Sequence, residues 1–488
     1  MSAYQSVTPA VLTELAAIVG AGQLLSGAAI PDHYDHDEGT PPELRQSPAV
    51  VVYPADAAET AAIVRLANRW RLPVTPRGGG TGLAGGAVPY PGGILIDLSR
   101  LNRIIHIDTK ARYLVAEASV RTSDIQKAAR EQGLLYAGDP CSNDDCVIGG
   151  NIATNAGGNM AVKYGVTSDQ VYQLEVVTPQ GEIITLGGRL KKNSTGYALT
   201  RLIAGSEGTL GIITKAVLKL QPLPPVINNY LAVFSSIDAA LATISAALDD
   251  SRIDPVSLEL VDRYTLLGLE EYLQQSFFRD KSGDVIIIQI EAWSREESEQ
   301  KFDRLKQILA APGLLDLFAV NGDAIWQARR IWGTPNRLRQ PIGVSEDFVV
   351  PVDSIRSLVR TIEELTAEFA FDFRLAGHAG DGNIHLRVQP GTIPEERWHQ
   401  TLPQFQQKIY TAVYALGGRL SGEHGIGLKR KASLSRLIDP GELALMQALK
   451  QAFDPNHILN PGKIFDLPPV ASQPDLPSGR GAGSGTAQ

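Results

Sequence analysis

The chain has 488 residues, a formal net charge of -8 and a hydrophobic content of 43%. Because a single core stops growing at about 250 to 300 residues, this length predicts two or more domains, and the composition excludes a disordered or fibrous chain. The negative charge disfavours nucleic acid as a partner, and two cysteines, Cys141 and Cys146, are too few for a disulfide framework or a four-thiolate iron-sulfur cluster.

The amino-terminal segment, residues 1–46, is predicted to begin with a short amphipathic helix. It lacks a basic region and its apolar run is interrupted by Glu14, which is not the pattern of a signal peptide. No run in the sequence approaches the ~20 apolar residues that a membrane helix needs. We therefore expect a cytoplasmic protein without a transmembrane segment, in which any membrane contact is peripheral.

Residues 47–225 show the pattern of an α+β unit. The chain passes from a β-rich run to a helix of period 3.6 and back to a strand, and a glycine loop, a strand and a capped helix follow. A hairpin is predicted to turn at Gln180 and Gly181. A long strand then ends at the proline-rich stretch 222–225, which we interpret as the first domain boundary.

Beyond that boundary, strands and helices alternate, which predicts helices packed on one face of a sheet. We expect a helix over 236–250, a strand over 284–293, and helices over 295–311 and 352–369. The last segment, residues 467–488, is rich in Pro, Gly and Ser and is predicted to be disordered.

The glycine loop PRGGGTGLAGGA, residues 76–87, formally matches the G-x-G-x-x-G dinucleotide fingerprint. A Rossmann loop must open a helix, but Pro89, Pro91 and two glycines follow at once and forbid a regular one. We interpret the loop as an anion nest, whose backbone N–H groups surround a diphosphate with Arg77 at its edge. The alternative is a glycine-rich surface loop.

Two further segments, residues 138–158 and 205–213, are also rich in glycine and other small residues. Small residues let the backbone approach a flat ring closely, and their amides and hydroxyls can hydrogen-bond the edge of that ring. Three such segments within one domain's length indicate a large cofactor held in an extended pose.

The stretch GHAGDGNIH, residues 377–385, places two histidines on either side of an Asp-Gly pair. If Asp381 and Gly382 form a two-residue hairpin turn, His378 pairs directly with His385, with Cβ atoms about 4.5 to 5.5 Å apart. A longer turn would loosen the pairing without necessarily separating the imidazoles. A surface hairpin with two exposed histidines is the alternative.

A second glycine-flanked loop, SGEHGIG at residues 421–427, supplies Glu423 and His424. Two histidines and one carboxylate suit Zn, Mn or Fe(II) while leaving coordination positions open. The same ligand set serves iron oxygenases, so residue types alone leave both classes of enzyme open.

Six segments, taken together and in order, resemble a known family: PRGGGTGLAGG, GGNIATNAGG, GSEGTLGI, GHAGDGNIH, SGEHGIG and DPNHILNPGKI. The chain resembles the FAD-dependent 2-hydroxy-acid dehydrogenases of the vanillyl-alcohol-oxidase (PCMH-type) superfamily. The likeness is greatest to the flavin subunit of bacterial glycolate oxidase, with D-lactate and D-2-hydroxyglutarate dehydrogenases as relatives. It extends from Ala49 to Phe465.

The resemblance implies an α+β fold in three parts. Residues 47–225 would form a PCMH-type FAD-binding domain of two α+β subdomains, residues 226–424 a cap domain with an antiparallel sheet and helices, and residues 425–466 a segment that returns to the flavin. It also implies these FAD contacts: Arg77, Gly78, Gly79, Gly80, Thr81, Gly82, Gly85, Pro140, Ser142, Gly149, Gly150, Ala153, Asn155, Gly157, Gly158, Glu207, Gly208, Ile212 and Asn460.

Three roles outside the FAD site are also implied by the resemblance. The metal ligands would be His378, His385 and Glu423, with zinc the first choice and manganese or iron as alternatives, and His424 would be the catalytic base. Arg329 would bind the substrate carboxylate, whereas we expect its neighbour Arg330 to lie on the surface. Covalent members often carry His where this chain has Thr81, so we expect noncovalent FAD.

The expected reaction is the oxidation of a short 2-hydroxy acid, with glycolate to glyoxylate favoured over D-lactate and D-2-hydroxyglutarate. Residues 344–351 carry no cation, which disfavours a dicarboxylate. The electrons would pass to a quinone or to an iron-sulfur subunit. A homodimer is a further expectation, and a non-catalytic flavin-binding subunit is the rival that an intact His and Glu set argues against.

Overall fold

The computed structural model describes residues 4–467. The helices of its amino-terminal half are α1 (Pro9–Val19), α2 (Ala57–Trp70), α3 (Thr122–Arg130), α4 (Ile148–Thr154), α5 (Ala161–Tyr164) and α6 (Leu199–Ile203). Its strands are β1 (Leu24–Ser26), β2 (Val50–Val52), β3 (Val74–Arg77), β4 (Ile94–Asp97), β5 (Ile104–Asp108), β6 (Tyr113–Glu117), β7 (Leu134–Leu135), β8 (Val171–Val177), β9 (Ile183–Gly187), β10 (Ile212–Lys219) and β11 (Gln221–Pro222).

These strands form two main sheets, each with its own core. The first has the order β1-β2-β4-β3, in which β2, β4 and β3 are parallel and α2 connects β2 to β3. The second is antiparallel, with the order β5-β6-β10-β8-β9. The predicted hairpin between β8 and β9 is confirmed, since the N–H of Gly181 donates to Thr178 O at 2.8 Å.

Helix α2 illustrates how the sequence specifies an element of the first sheet. Asp56 caps its first turn by accepting from the N–H of Glu59. Its apolar residues recur at helical spacing, and Ile63, Val64 and Ala67 are completely buried against the sheet. The glycine loop begins where β3 ends, at the carboxyl end of the parallel strands, which is where open α/β sheets bind ligands.

The helices of the carboxy-terminal half are α7 (Ile237–Leu241), α8 (Ile244–Asp249), α9 (Arg263–Leu273), α10 (Arg295–Leu309), α11 (Gly322–Arg330), α12 (Thr334–Arg339), α13 (Ile355–Phe369), α14 (Glu395–Ala415), α15 (Lys431–Leu437) and α16 (Pro440–Phe453). Its strands are β12 (Val226–Phe234), β13 (Ser257–Val261), β14 (Asp284–Ala292), β15 (Leu314–Ala319), β16 (Val344–Val349), β17 (Asp372–His378) and β18 (Asn383–Gln389). They form one antiparallel sheet in the order β15-β12-β14-β13-β17-β18-β16.

Both faces of this sheet are covered, so the prediction of helices on one face is wrong. Neighbouring residues of β12 point to opposite faces, and Tyr230 and Leu231 accordingly lie in different apolar clusters. One cluster includes residues of α10, α13 and α14, and the other includes residues of α9 and α11. The continuous apolar runs of β12 and β14 are what a sheet buried on both faces requires.

The helix predicted over residues 236–250 is two short helices, α7 and α8. Between them the hydroxyl of Thr243 donates to the backbone oxygen of Ala240 at 2.8 Å. Threonine side chains compete in this way with the backbone hydrogen bonds of a helix.

The carboxy-terminal segment returns to the amino-terminal half, as the family resemblance implies. The backbone N–H of Asn460 donates to Val74 O at 2.7 Å, and the N–H of Val74 donates to Ile458 O at 2.7 Å. The buried ammonium of Lys450 donates to the backbone oxygens of Thr209 and Leu459. This segment is therefore attached to the strand that leads into the glycine loop. The predicted disordered tail, residues 467–488, lies outside the described residues except for Leu467.

Among residues 4–467, no helix combines the length and the apolar character needed to cross a membrane.

Candidate active site

A cavity of about 2150 Å³ separates the glycine loop from helices α11 and α12 and strands β16 and β18. Most of the predicted FAD contacts line it: Arg77, Gly78, Gly79, Gly80, Thr81, Gly82, Pro140, Ser142, Gly149, Gly150, Ala153, Glu207, Gly208 and Ile212. The others do not line it: Gly85, Asn155, Gly157, Gly158 and Asn460. The three glycine-rich segments and the histidine loop therefore share one cavity.

The glycine loop needs residues without side chains for two physical reasons. A Cβ on Gly79 would lie 2.7 Å from the backbone oxygen of Asp145, so the two segments could not approach as they do. Gly80 has a φ of +73°, a conformation that residues with a side chain rarely adopt. Behind the loop, the Arg77 guanidinium donates to His36 O at 2.7 Å.

Glu207 and Asn460 act as ties between segments of the chain. The Glu207 carboxylate accepts from the N–H groups of Ile426 and Gly427 at 2.8 and 2.9 Å. The Asn460 amide donates to Gly86 O and to Glu207 O at 2.9 and 2.8 Å. Burial raises the pKa of Glu207. This residue therefore attaches the loop that carries Glu423 and His424 to the FAD-binding half.

The hairpin of residues 377–385 has a different register from the predicted one. Ala376, and not His378, pairs with His385. The turn is longer because the N–H of Asp381 donates to His378 O at 3.1 Å and Gly382 takes a φ of +85°. The register differs by two residues, and the side-chain period of a strand is also two, so both imidazoles keep the same face.

The structure brings the three predicted metal ligands together. The Nε2 atoms of His378 and His385 lie 3.3 and 3.2 Å from Oε1 of Glu423. The two imidazole rings are 5.2 Å apart and nearly perpendicular, and both are almost fully buried. All three donor atoms lie within 4.8 Å of one another. Gly157 faces this group, since a Cβ there would lie 2.7 Å from the Glu423 carboxylate.

Glu259, on β13, orients the first of these histidines. Its Oε1 lies 2.7 Å from Nδ1 of His378, which leaves Nε2 facing Glu423. Metal-binding histidines usually hold their second nitrogen against a carboxylate or carbonyl in this way. Burial lowers the pKa of His378, but Glu259 and Glu423 outweigh it and raise that pKa well above its usual value. Burial likewise opposes ionisation of Glu423, but His378 holds its pKa well below the usual range.

His424 lies beside this group and lines the cavity. Its ring stacks on that of His385, with centroids 5.2 Å apart and planes 10° from parallel. Its Nε2 is 3.9 Å from Glu423 Oε1, and its Nδ1 is 3.7 Å from Asp347. Burial lowers the pKa of His424 to about 4, so the imidazole is neutral near pH 7 and can accept a proton.

Asp347 is the part of the site that the sequence analysis missed as functional. It is completely buried on β16, opposite His385. Its Oδ2 accepts from the N–H groups of Gly422, Glu423 and His424 at 2.9 to 3.0 Å, and from the Ser421 hydroxyl at 2.7 Å. Burial opposes its ionisation, but His424 and His385 hold its pKa well below the usual range. One carboxylate thus sets the path of the whole loop.

Neither arginine of α11 lies where the sequence predicted it. Arg329 is 1% exposed and does not line the cavity; its Nε and Nη2 lie 2.9 and 2.8 Å from the Glu259 carboxylate. Its remaining Nη1 is 3.8 Å from Cys141 Sγ. Arg330, expected on the surface, is half-buried and lines the cavity. Successive helical residues point about 100° apart, and α11 turns the second arginine toward the space.

Two protein-family models match this chain. Residues 48–187 match the FAD binding domain, and residues 223–464 match the FAD linked oxidases, C-terminal domain.

Several curated proteins are similar along nearly their whole length. A D-lactate dehydrogenase of Anaerostipes hadrus is 33% identical over 94% of this chain and 98% of its own length. The glycolate oxidase subunit GlcD of Bacillus subtilis is 35% identical over 87% and 90% of the two chains. A D-2-hydroxyglutarate dehydrogenase of Xanthomonas citri is 33% identical over 89% and 92%.

Solved structures show the same fold at lower identity. The 4-ethylphenol oxidase of Gulosibacter chungangensis superposes with a TM-score of 0.74 at 18% identity, covering 94% of this chain and 97% of its own. For p-cresol methylhydroxylase the TM-score is 0.76 at 16% identity, with coverage of 93% and 96%. Together with the matched domains and relatives, this places the chain in the FAD-linked oxidase family, among the FAD-dependent 2-hydroxy-acid dehydrogenases of the PCMH-type flavoproteins.

Proposed function

We propose that this protein oxidises a 2-hydroxy acid to the 2-oxo acid at the site formed by His378, His385, Glu423 and His424. Glycolate to glyoxylate is the reaction that the sequence favours, with D-lactate and D-2-hydroxyglutarate as alternatives. The observation that carries the proposal is the placement of a neutral histidine, His424, beside the three ligand atoms in the cavity that the glycine-rich segments line. Relatives named for each of these three substrates are about equally similar to this chain.

A divalent metal fits the residues that are present. Two imidazole nitrogens from the neighbouring strands β17 and β18 and one carboxylate oxygen from the 421–427 loop converge, and Glu259 leaves the Nε2 of His378 facing the centre. This donor set suits zinc, with manganese and iron as alternatives. A cation bound there would displace the proton from Nε2 of His378, the nitrogen that faces Glu423.

FAD held by the glycine-rich segments would supply the hydride acceptor, and a metal held by His378, His385 and Glu423 would supply Lewis-acid assistance to ionisation of the substrate hydroxyl. The chain's own residues supply the rest of the reaction. His424 takes the hydroxyl proton at Nε2, the atom on the Glu423 side of its ring. Asp347 holds the loop of His424 in place through three backbone N–H groups. The reaction thus removes a proton from the alcohol oxygen and a hydride from the alcohol carbon.

The proposal is tested by mixing the oxidised holoenzyme anaerobically with glycolate, each lactate enantiomer and each 2-hydroxyglutarate enantiomer. We expect the flavin absorbance to bleach with at least one of these acids, because no external acceptor is needed for the first half-reaction. Simple alcohols of the same size, which lack the carboxylate, should leave the absorbance unchanged. An enzyme that no 2-hydroxy acid reduces would contradict the proposal.

Removing the metal is expected to stop turnover while FAD stays bound. A chelator should abolish reduction by the substrate, and zinc, manganese or iron should restore it, since Lewis-acid assistance is worth several kcal/mol. Elemental analysis and the flavin spectrum separate the two cofactors. The double variant His378→Ala, His385→Ala should contain FAD but no metal. Full activity in a metal-free enzyme would exclude the metal from the reaction.

Two parts of the proposal concern electron flow. The FAD is proposed to be noncovalent, because Thr81 stands where covalent relatives carry histidine. A quinone or an iron-sulfur subunit is proposed as acceptor, which the name of the Bacillus subtilis relative, a subunit, supports. An iron oxygenase would use the same metal ligands, but the matched FAD binding domain favours the flavoenzyme.

A further inference from the structure

Arg387 lies on β18, two residues after His385. Side chains two positions apart on a strand share one face, so Arg387 projects from the same face as this metal-ligand candidate. The residue is 4% exposed and lines the cavity. This orientation follows from the alternation of side chains along the strand, although the sequence analysis assigned Arg387 no role.

The Arg387 guanidinium has no anionic partner among residues 4–467. Its Nη2 donates to the backbone oxygens of Gln340 and Pro341 at 2.9 and 3.4 Å, while its buried Nε has no hydrogen-bond partner. The charged residue that acts on Arg387 is Arg337, which has the same sign of charge. By contrast, the buried Arg329 forms an ion pair with Glu259.

Other cations line the same cavity. Arg330 and Arg337, from α11 and α12, both line it, and neither forms an ion pair within the described residues. Lys429 lines it as well and donates to the backbone oxygen of Ser345, the residue paired with Arg387 on the neighbouring strand. Buried charges are normally paired, and Arg387 is the buried member of this group, so its unpaired guanidinium with other cations in the same cavity indicates a site for an anion.

The position of this group relative to the metal ligands limits what the anion can be. A strand rises about 3.3 Å per residue, so the Cα atoms of Arg387 and His385 lie about 6.6 Å apart along β18. A carbon chain of roughly three or four atoms would span that distance. An acid whose hydroxyl and first carboxylate lie at the histidines would therefore place a group at its far end near Arg387.

We propose that Arg387, flanked by Arg337 and Arg330, forms a subsite for a second anionic group on the substrate, a distal carboxylate or phosphate. This inference rests on the proposed oxidation of a 2-hydroxy acid and adds the class of substrate. It reverses the expectation drawn from residues 344–351, because the cation comes from β18, the strand next to them. A bidentate guanidinium suits either anion.

The substrate preference is tested with pairs of acids that differ only in the second charge. The wild-type holoenzyme is assayed with 2-hydroxyglutarate against 2-hydroxypentanoate, and with 3-phosphoglycerate against glycerate; the two pairs distinguish a second carboxylate from a phosphate. We expect one acid with a second anionic group to have a higher kcat/KM than its monocarboxylate partner. Arg387→Gln should lower that value by about 30-fold or more, since truncating one partner of a buried charge pair is costly, and should change the kcat/KM of the monocarboxylate less than twofold.

A binding measurement separates this inference from the proposed function. Glutarate cannot be oxidised at a hydroxyl that it lacks, and calorimetry should detect its binding to wild type but not to Arg387→Gln, with pentanoate binding weakly to both. Arg374→Lys is the matched control, because Arg374 pairs with Arg387 in the sheet but has its own carboxylate, Asp372.

Two outcomes distinguish failure of the subsite proposal from failure of the proposed function. If monocarboxylates reduce the flavin as well as the acids with a second anionic group do, and glutarate does not bind, the subsite is contradicted while the proposed oxidation stands. If no 2-hydroxy acid reduces the flavin, the proposed function falls, and with it the assignment of this subsite to a substrate.

Discussion

Replacing His424 with Ala is expected to slow anaerobic flavin reduction by about 10²- to 10⁴-fold, the usual contribution of a general base. Burial lowers the pKa of His424 to about 4, so at pH 7 the imidazole is ready to accept the hydroxyl proton. Because His424 is not among the three converging ligand atoms of His378, His385 and Glu423, the metal content of the variant should stay near that of the wild type. Stopped-flow absorbance and elemental analysis measure the two quantities.

His399→Ala is the matched control for this variant. His399 is an exposed histidine on α14, paired with Glu395, and it does not line the cavity. Its substitution should leave the reduction rate unchanged. Undiminished reduction in His424→Ala would show that another group takes the proton, and loss of the metal in that variant would assign His424 to the ligand set instead.

Replacing Asp347 with Asn is expected to lower the free energy of unfolding by about 3 kcal/mol, because a charged acceptor of several buried donors is lost. Three N–H groups and the Ser421 hydroxyl converge on one oxygen of Asp347. Flavin reduction should fall as well, since the same loop carries Glu423 and His424. Urea denaturation and stopped-flow absorbance check the two effects.

The pH dependence of the free energy of unfolding distinguishes the contribution of the Asp347 charge from that of its packing. Its folded pKa is depressed, so its stabilising contribution is complete above the unfolded pKa of about 3.9 and is lost as the pH falls below it. The difference between wild type and Asp347→Asn should therefore narrow in acid. Asp353→Asn, at an exposed carboxylate, should show neither effect. A difference independent of pH would mean that packing, and not charge, explains the loss.

The sequence, together with the family resemblance, predicted most elements of the fold and the three side chains that converge at the candidate site. Apolar periodicity located α2 and the strands on either side of it, and the turn residues located the β8-β9 hairpin. The two histidines kept their common face even though the predicted register was wrong. Because side chains alternate with a period of two, a slip of two residues preserves the face, whereas a slip of one would have separated the imidazoles.

Pairing between distant strands decided what the sequence could not. Glu259 reaches His378 from β13, and Asp347 reaches the 421–424 loop from β16, contacts between segments more than seventy residues apart. Local pattern carries no information about which strands become neighbours, nor about which face of a short helix meets a cavity. For that reason Arg329 was assigned to the substrate, although the structure commits its guanidinium to Glu259.

Arg387 combines a feature that the sequence could predict with one that only the tertiary structure decides. Its face could be read from its spacing to His385, but its lack of a partner could not, because an unpaired charge is defined by every segment that surrounds it. The sequence thus determined the cofactor-binding loops and the ligand types, which depend on local chemistry. The tertiary structure alone decided which charges are neutralised and which remain free to bind a substrate, since that depends on packing among distant parts of the chain.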